Sequence, residues 1–220
     1  LFINPPAMAN AEVNALLEEG STTRIPGFHM PLGLIELSAY LRSKHDNLDI
    51  RIIDMGKDLY LVYKEILLNK ERQSLPTSVE EFLIERLDTI DFQPDIVGIS
   101  ILYTSSHNLS KNLIGKVKAK WHDAMICCGG NHATNYYSQL LSDSRIDFVV
   151  RGEAELSFSA LISEIKKGNE NFEISGIIDR KRLENDAVDS SPLVQNLDEI
   201  PMPAYDLLDL DAYKNEQESN

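Results

Sequence analysis

The chain has 220 residues, 43% of them hydrophobic, and a formal net charge of −14. That length and apolar content suit one good-sized domain with a proper core, or two small ones. The acidic balance argues against nucleic-acid binding through phosphate contacts and against docking on anionic membranes, both of which need basic patches, and no run is long and apolar enough to span a bilayer.

The start, LFINPPAMANAE, lacks a basic segment before its apolar residues, so no export signal is read there and a cytoplasmic protein is expected. It begins inside an apolar run with no Met, which reads as a partial chain. Leu1 to Asn4 reads as a short strand halted by Pro5 and Pro6, and a long polar stretch follows with a short helix around Ala11 to Glu19. PLGLIELSAYLRSK, from Pro31 to Lys44, has apolar residues at helical spacing, and Pro31 suits a first turn. Asp49 to Met55 reads as a strand; Leu59 to Asn69 and Val79 to Ile90 read as helices split by a Ser-Leu-Pro-Thr break. Asp95 to Leu102 is a near-continuous apolar strand, and Asn108 to Lys120 is helical. Ala124 to Cys128 is the next strand, with a helix from Ala133 to Leu141. Asp147 to Val150 is a strand, Glu153 to Lys167 a helix, and Ser175 to Asp179 a candidate last strand.

Apolar strands alternating with helices predict a doubly wound α/β fold: a mainly parallel, five-stranded sheet with helices on both faces, flavodoxin-like or Rossmann-like. Beyond Asp179 the pattern dissolves. Residues 1–180 read as the domain and 181–220 as an acidic linker, expected to pack poorly, which carries a net charge of −7. Cys127 and Cys128 are adjacent, so on a strand they point to opposite faces; they read as small core residues in a reducing compartment. No Cys-x-x-Cys spacing is present for an iron–sulfur cluster.

Ligands of such folds sit outside the carboxyl ends of the strands. Four loops lie there: Asn4-Pro5-Pro6, Ser100 to His107, Gly129 to Thr134 and Arg151 to Glu155. Gly129 and Gly130 fit either a tight strand-to-helix turn or a bare backbone on which a ligand lies. Ser100 and Thr104 could present hydroxyls to a ligand, while Ser105 or Ser106 could cap the next helix. His132 fits a capping or exposed loop residue as well as a ligand-facing one. Glu153 and Glu155 suit the positive end of a helix dipole, and Asp54 a strand-end turn. No nucleophile motif, no triphosphate-binding loop and no Gly-x-Gly-x-x-Gly after the first strand occur.

The series LFINPP, PLGLIELSAYLR, PDIVGIS, CCGGNHAT, DFVVRGEAELSF and NLDEIPMPAYDLLD resembles the N-terminal cobalamin-binding domain of cobalamin-dependent radical SAM proteins, a group that includes methyltransferases and anaerobic magnesium-protoporphyrin ester cyclases. The resemblance covers nearly the whole chain, and Gly-Gly-x-His-x-Thr followed by Arg-Gly-Glu-x-Glu is its most specific part. It implies cobalamin as cofactor, with the nucleotide tail entering at the carboxyl ends of the strands and its base lying on Gly129 and Gly130. The cofactor-binding set it implies is Asn4, Pro5, Pro6, Ser100, Tyr103, Thr104, Gly129, Gly130, Asn131, His132, Gly152 and Glu153, with no catalytic residue and no metal ligand. The Asp-x-His-x-x-Gly motif that supplies a lower cobalt ligand in other cobalamin-binding folds is absent, so base-off binding without a protein histidine is expected. The 4Fe-4S cluster and S-adenosylmethionine are expected only in a downstream radical SAM domain of the same protein, to which the acidic segment would lead. A docking domain that keeps the fold without cofactor, positioning a substrate or protein partner, stays open as the alternative, and a stand-alone nucleotide enzyme is disfavoured by the first loop.

Overall fold

The structure is a computed structural model that describes residues 1–19, 28–68, 75–169 and 173–217. In chain order it contains β1 (Phe2–Asn4), α1 (Asn10–Glu19), α2 (Leu32–Lys44), β2 (Ile52–Asp54), α3 (Met55–Leu68), α4 (Val79–Asp88), β3 (Ile96–Ser100), α5 (His107–Lys120), β4 (Met125–Gly129), α6 (Asn131–Asn135), α7 (Tyr137–Leu141), β5 (Phe148–Val150), α8 (Glu155–Lys166), β6 (Ile177–Ile178), α9 (Arg180–Glu184) and α10 (Leu210–Gln217). Asn69, the expected end of the third helix, and Ser74 of the expected break lie outside the described residues.

The strands form one sheet in the order β2-β1-β3-β4-β5-β6. The first five are parallel, as their near-continuous apolar runs require of a sheet covered on both faces. The sixth is a two-residue antiparallel edge on β5, so the sheet is larger by one strand than the five expected. One face carries Ile3, Ile53, Val97, Ile99, Ile126, Cys128 and Val149 and is covered by α1, α3, α4 and α5. The other carries Phe2, Cys127, Phe148 and Val150 and is covered by α2 and α8, which pack on each other. The adjacent cysteines thus enter opposite cores, both thiols free and pushed upward in pKa by burial.

The helix expected from Ala133 to Leu141 is two short helices broken at Tyr136, whose backbone leaves the helical region (φ −118°, ψ 29°). Ser106 precedes α5, but its hydroxyl donates to the Tyr103 carbonyl rather than capping the helix.

The acidic segment, expected to pack poorly, packs on the domain. The Ser191 N–H donates to the Arg151 carbonyl, and Arg182 reaches the Ile177 carbonyl and Asp189. The segment then crosses α2, where the Ala204 N–H donates to the Ile35 carbonyl and Arg42 pairs with Asp206 at 2.8 Å. It ends with α10 beside β2, where the Tyr213 hydroxyl donates to Asp54 at 2.7 Å. The segment lacks an amphipathic period, so these long-range contacts within the chain leave no signature in its pattern. Among the described residues no helix is long and apolar enough to cross a membrane.

Candidate functional site

In the strand order above, the chain reverses direction between β1 and β3, and the crevice at their carboxyl ends is where open α/β sheets receive ligands. Two adjoining hollows open there. The smaller, of about 280 Å³, lies over the ends of β1 and β3 and is bordered by Asn4, Pro5, Phe28, His29, Ser100 and Tyr103. The larger, of about 470 Å³, runs down between the sheet and helices α2 and α8. Ser100, Gly33, Leu34 and Leu102 border both.

The sheet register explains the shape of the larger hollow. Phe2, Gly98 and Cys127 lie side by side on β1, β3 and β4; two residues further along, Ser100 stands beside Gly129, with Val150 next to it. Gly98 is bare because the Phe2 ring lies over it: an added Cβ would come within 2.5 Å of that ring. At Gly129 an added Cβ meets nothing nearer than Val150 at 3.9 Å, so a side chain there would project into the hollow. Gly130 is different. Its φ of +95° disfavours any side chain, and a Cβ would lie 2.7 Å from the Ile101 carbonyl oxygen. The glycine pair thus divides its work: Gly130 makes the turn and Gly129 keeps the space clear.

Of the twelve residues named from the sequence, the structure brings Ser100, Gly129, Gly130, Asn131, Gly152 and Glu153 together around the larger hollow. Asn4, Pro5 and Tyr103 border the smaller one, again with Ser100. Gly152 also has a positive φ, +98°, and its N–H donates to the Thr134 hydroxyl at 3.1 Å. Asn4 donates from Nδ2 to Asp54 at 2.9 Å, and the same carboxylate, 4% exposed, accepts from the Gly56 N–H. Asp54 is therefore a buried turn acceptor, as read from the sequence.

Pro6 is buried and borders neither hollow. Thr104 and His132 also lie outside both. The His132 ring, 3% exposed, turns away from the hollows: Nδ1 lies 3.1 Å from the Thr104 hydroxyl and Nε2 lies 2.9 Å from Nδ1 of His107, while the ring stacks on Tyr136. Burial lowers the pKa of both histidines, helped by Lys111 for His107 and by His107 for His132. With the His132 N–H donating to the Ile101 carbonyl, this group ties the β3–α5 loop to the β4–α6 turn.

Residues outside that set of twelve complete the larger hollow. α2 supplies Leu34, Glu36 and Leu37, and α8 supplies Glu155 and Phe158. The Glu155 carboxyl is raised in pKa by burial and further by the Glu153 and Glu36 carboxylates. Gly98, a glycine inside an apolar strand, was the available signal, since such a residue marks a close approach. Nothing in the helical period of α2 says that its far side faces a gap. Among the described residues no group of three or more His, Cys, Asp or Glu side chains is placed to hold a metal ion.

Residues 21–162 match the model of the B12 binding domain. An uncharacterized methyltransferase of Pyrococcus horikoshii is 33% identical over 190 residues, covering 84% of this chain and 35% of that protein. The anaerobic magnesium-protoporphyrin IX monomethyl ester cyclase of a Synechocystis species is 28% identical over 215 residues, covering 97% of this chain and 36% of that protein. The chain therefore spans about a third of the length of these relatives. Among solved structures, the cobalamin-dependent S-adenosylmethionine radical enzyme OxsB, with aqua-cobalamin and S-adenosylmethionine bound, superposes with a TM-score of 0.63 over 97% of this chain and 25% of its own, at 18% identity.

Proposed function

Because the chain belongs to the B12-binding domain family, we propose that it holds cobalamin base-off, the nucleotide tail in the hollow between the sheet and α2 and α8 and the corrin over the carboxyl edge of β1 and β3. The observation that carries this reading is Gly129: a strand residue with unstrained backbone and no side chain, at the mouth of a slot that a Cβ would begin to fill. Ser100 and Asn131 stand beside it as hydrogen-bonding groups for the tail, and Tyr103 with Pro5 borders the space for the corrin. Cobalamin supplies a cobalt centre able to carry a methyl group or to change oxidation state. The residues of this chain bind and orient it and shield its tail from water. No histidine stands between β1 and α1, so a bound cobalamin would be held without a protein histidine there, and His29 at the smaller hollow is the exception to test.

In the whole protein this domain serves a radical SAM domain, with its own S-adenosylmethionine and 4Fe-4S cluster, in a methyltransferase or cyclase reaction. The relatives' names and the superposition on a radical enzyme support that assignment. Titration of the chain with hydroxocobalamin tests the cofactor step. A saturable, one-to-one shift of the corrin absorbance to the base-off form is expected. A folded chain that leaves the absorbance unchanged would falsify it, and the cofactor-free docking domain would take its place.

A further inference from the structure

We propose that the larger hollow selects the base of the cobamide, taking a benzimidazole and discriminating against an adenine. The proposal rests on the cobalamin reading above and concerns which member of the cobamide class the site prefers. The two bases are of similar size, so the volume of the hollow does not separate them. Its chemistry does.

The inner part is walled by Phe2, Leu37, Cys127, Val150 and Phe158, all buried and all apolar apart from one thiol kept in its neutral form by burial. The backbone N–H and C=O groups of β1, β3, β4 and β5 along this wall are committed to the ladders between strands. An adenine base carries three ring-nitrogen acceptors and an amino donor around its edge. In this slot those groups would lose water and gain no partner, which costs binding for each group left unmade. A dimethylbenzimidazole has one free ring nitrogen and two methyl groups, which suit the apolar wall.

The polar side chains of the hollow are Ser100, Asn131, Thr134, Glu36, Glu153 and Glu155; they stand at its mouth, and the Thr134 hydroxyl already accepts from the Gly152 N–H. Among the described residues no lysine or arginine lines it. That rim offers acceptors to the ribose hydroxyls and to the amides of the corrin side chains. Polarity therefore rises from the inner wall to the mouth in the same order as along the nucleotide tail, from base to sugar.

Binding of cobalamin, of its adenine-based counterpart and of cobinamide, which lacks the nucleotide, measured by equilibrium dialysis on the same chain, tests this. Cobalamin is expected to bind at least about tenfold more tightly than the adenine cobamide, as for a pocket that strips polar edges without replacing their partners. Cobinamide is expected to bind more weakly than cobalamin. Val150→Thr, which places a hydroxyl on the wall at nearly constant volume, is expected to narrow the ratio between the two cobamides. Equal affinities for the two cobamides, both above cobinamide, would overturn the selection while leaving the cobalamin reading intact. Cobinamide binding as tightly as cobalamin would overturn it too, by showing that the tail does not use the hollow. No binding of any of the three would remove the cobalamin reading and the selection with it.

Discussion

Replacing Gly129 by valine should weaken cobalamin binding by at least about a hundredfold and leave the fold intact. The added Cβ has open space before it, with Val150 at 3.9 Å as its first neighbour, and the two methyl groups beyond it enter the slot. Gly129 closes β4 without a positive φ, so a β-branched residue suits its backbone, and losing a glycine there contributes about 0.5–1 kcal/mol of stability. The effect on binding follows from what the ring would lose. An aromatic ring system buries roughly 150–250 Å². At about 25 cal/mol per Å² that is about 4–6 kcal/mol, or three to four decades in affinity if the base is expelled completely. A base that is displaced but still partly seated retains part of this, so a loss of at least about a hundredfold is expected. Gly130→Ala is the matched control. Its φ of +95° and the Ile101 carbonyl oxygen at 2.7 Å make the substitution a folding defect, costing about 1–3 kcal/mol. Urea denaturation and hydroxocobalamin titration on both variants separate the two effects. Gly129→Val with an unchanged or higher midpoint and wild-type affinity would refute the assignment of the slot to the tail.

Electron paramagnetic resonance of the cob(II)alamin complex should show no nitrogen superhyperfine splitting from an axial ligand. If splitting appears and vanishes in His29→Ala, the exposed histidine bordering the smaller hollow is its source and the expectation of a histidine-free cobalt is wrong. Tyr213→Phe should cost about 1–2 kcal/mol, because it removes a hydrogen bond to a buried carboxylate, and equilibrium unfolding at neutral pH measures it. Burial and the Asp54 charge raise the Tyr213 pKa, so its contribution is complete below the unfolded value of about 10 and is lost as pH rises above it. The variant should therefore show a shallower alkaline loss of stability; an unchanged slope contradicts the Tyr213–Asp54 hydrogen bond as its source. His107 and His132 have the opposite sign: their folded pKa values are lowered, so the unfolded chain binds more protons and stability falls as pH drops below about 6.5. His132→Gln should flatten the slope of unfolding free energy between about pH 5 and 7. A slope equal to that of the native chain would show that the pair does not titrate with folding.

The order of strands and helices was legible because each parallel strand is a short, nearly unbroken apolar run and each helix has its own apolar stripe, both properties of contiguous residues. The same locality explains where reading failed. β6 falls inside the candidate last strand Ser175 to Asp179, but it is only two residues long, so its place as a sixth, antiparallel strand of the sheet rests on the pairing of Val149 with Ile178 and of Val150 with Ile177. The two short helices at Asn131–Asn135 and Tyr137–Leu141 read as one because both are helical and the break at Tyr136 uses an ordinary residue. The acidic segment read as unpacked because its contacts to the domain are scattered single groups, among them the Ser191 N–H to Arg151, Arg182 to the Ile177 carbonyl, one N–H to Ile35, one pair to Arg42 and one hydroxyl to Asp54.

The site shows the same division more sharply. Loop glycines announce themselves, and Gly129, Gly130 and Gly152 were all named; but which of them opens space and which merely turns the chain depends on the Ile101 carbonyl and on Val150, some thirty and twenty residues away along the chain. His132 was named beside the glycines, and it is beside them in sequence. In space its ring turns to Thr104 and His107, because the first turn of α6 sends it to the face of the sheet opposite Cys127, where the β3–α5 loop returns. The apolar wall of the slot was invisible for a further reason. It is a property of a row that runs across β1, β3 and β4, from Phe2 through Gly98 to Cys127, while a sequence is read along strands. The proposed preference for one base over another therefore rests on contacts that run at right angles to the chain, and a cobamide binding series tests it more directly than any motif.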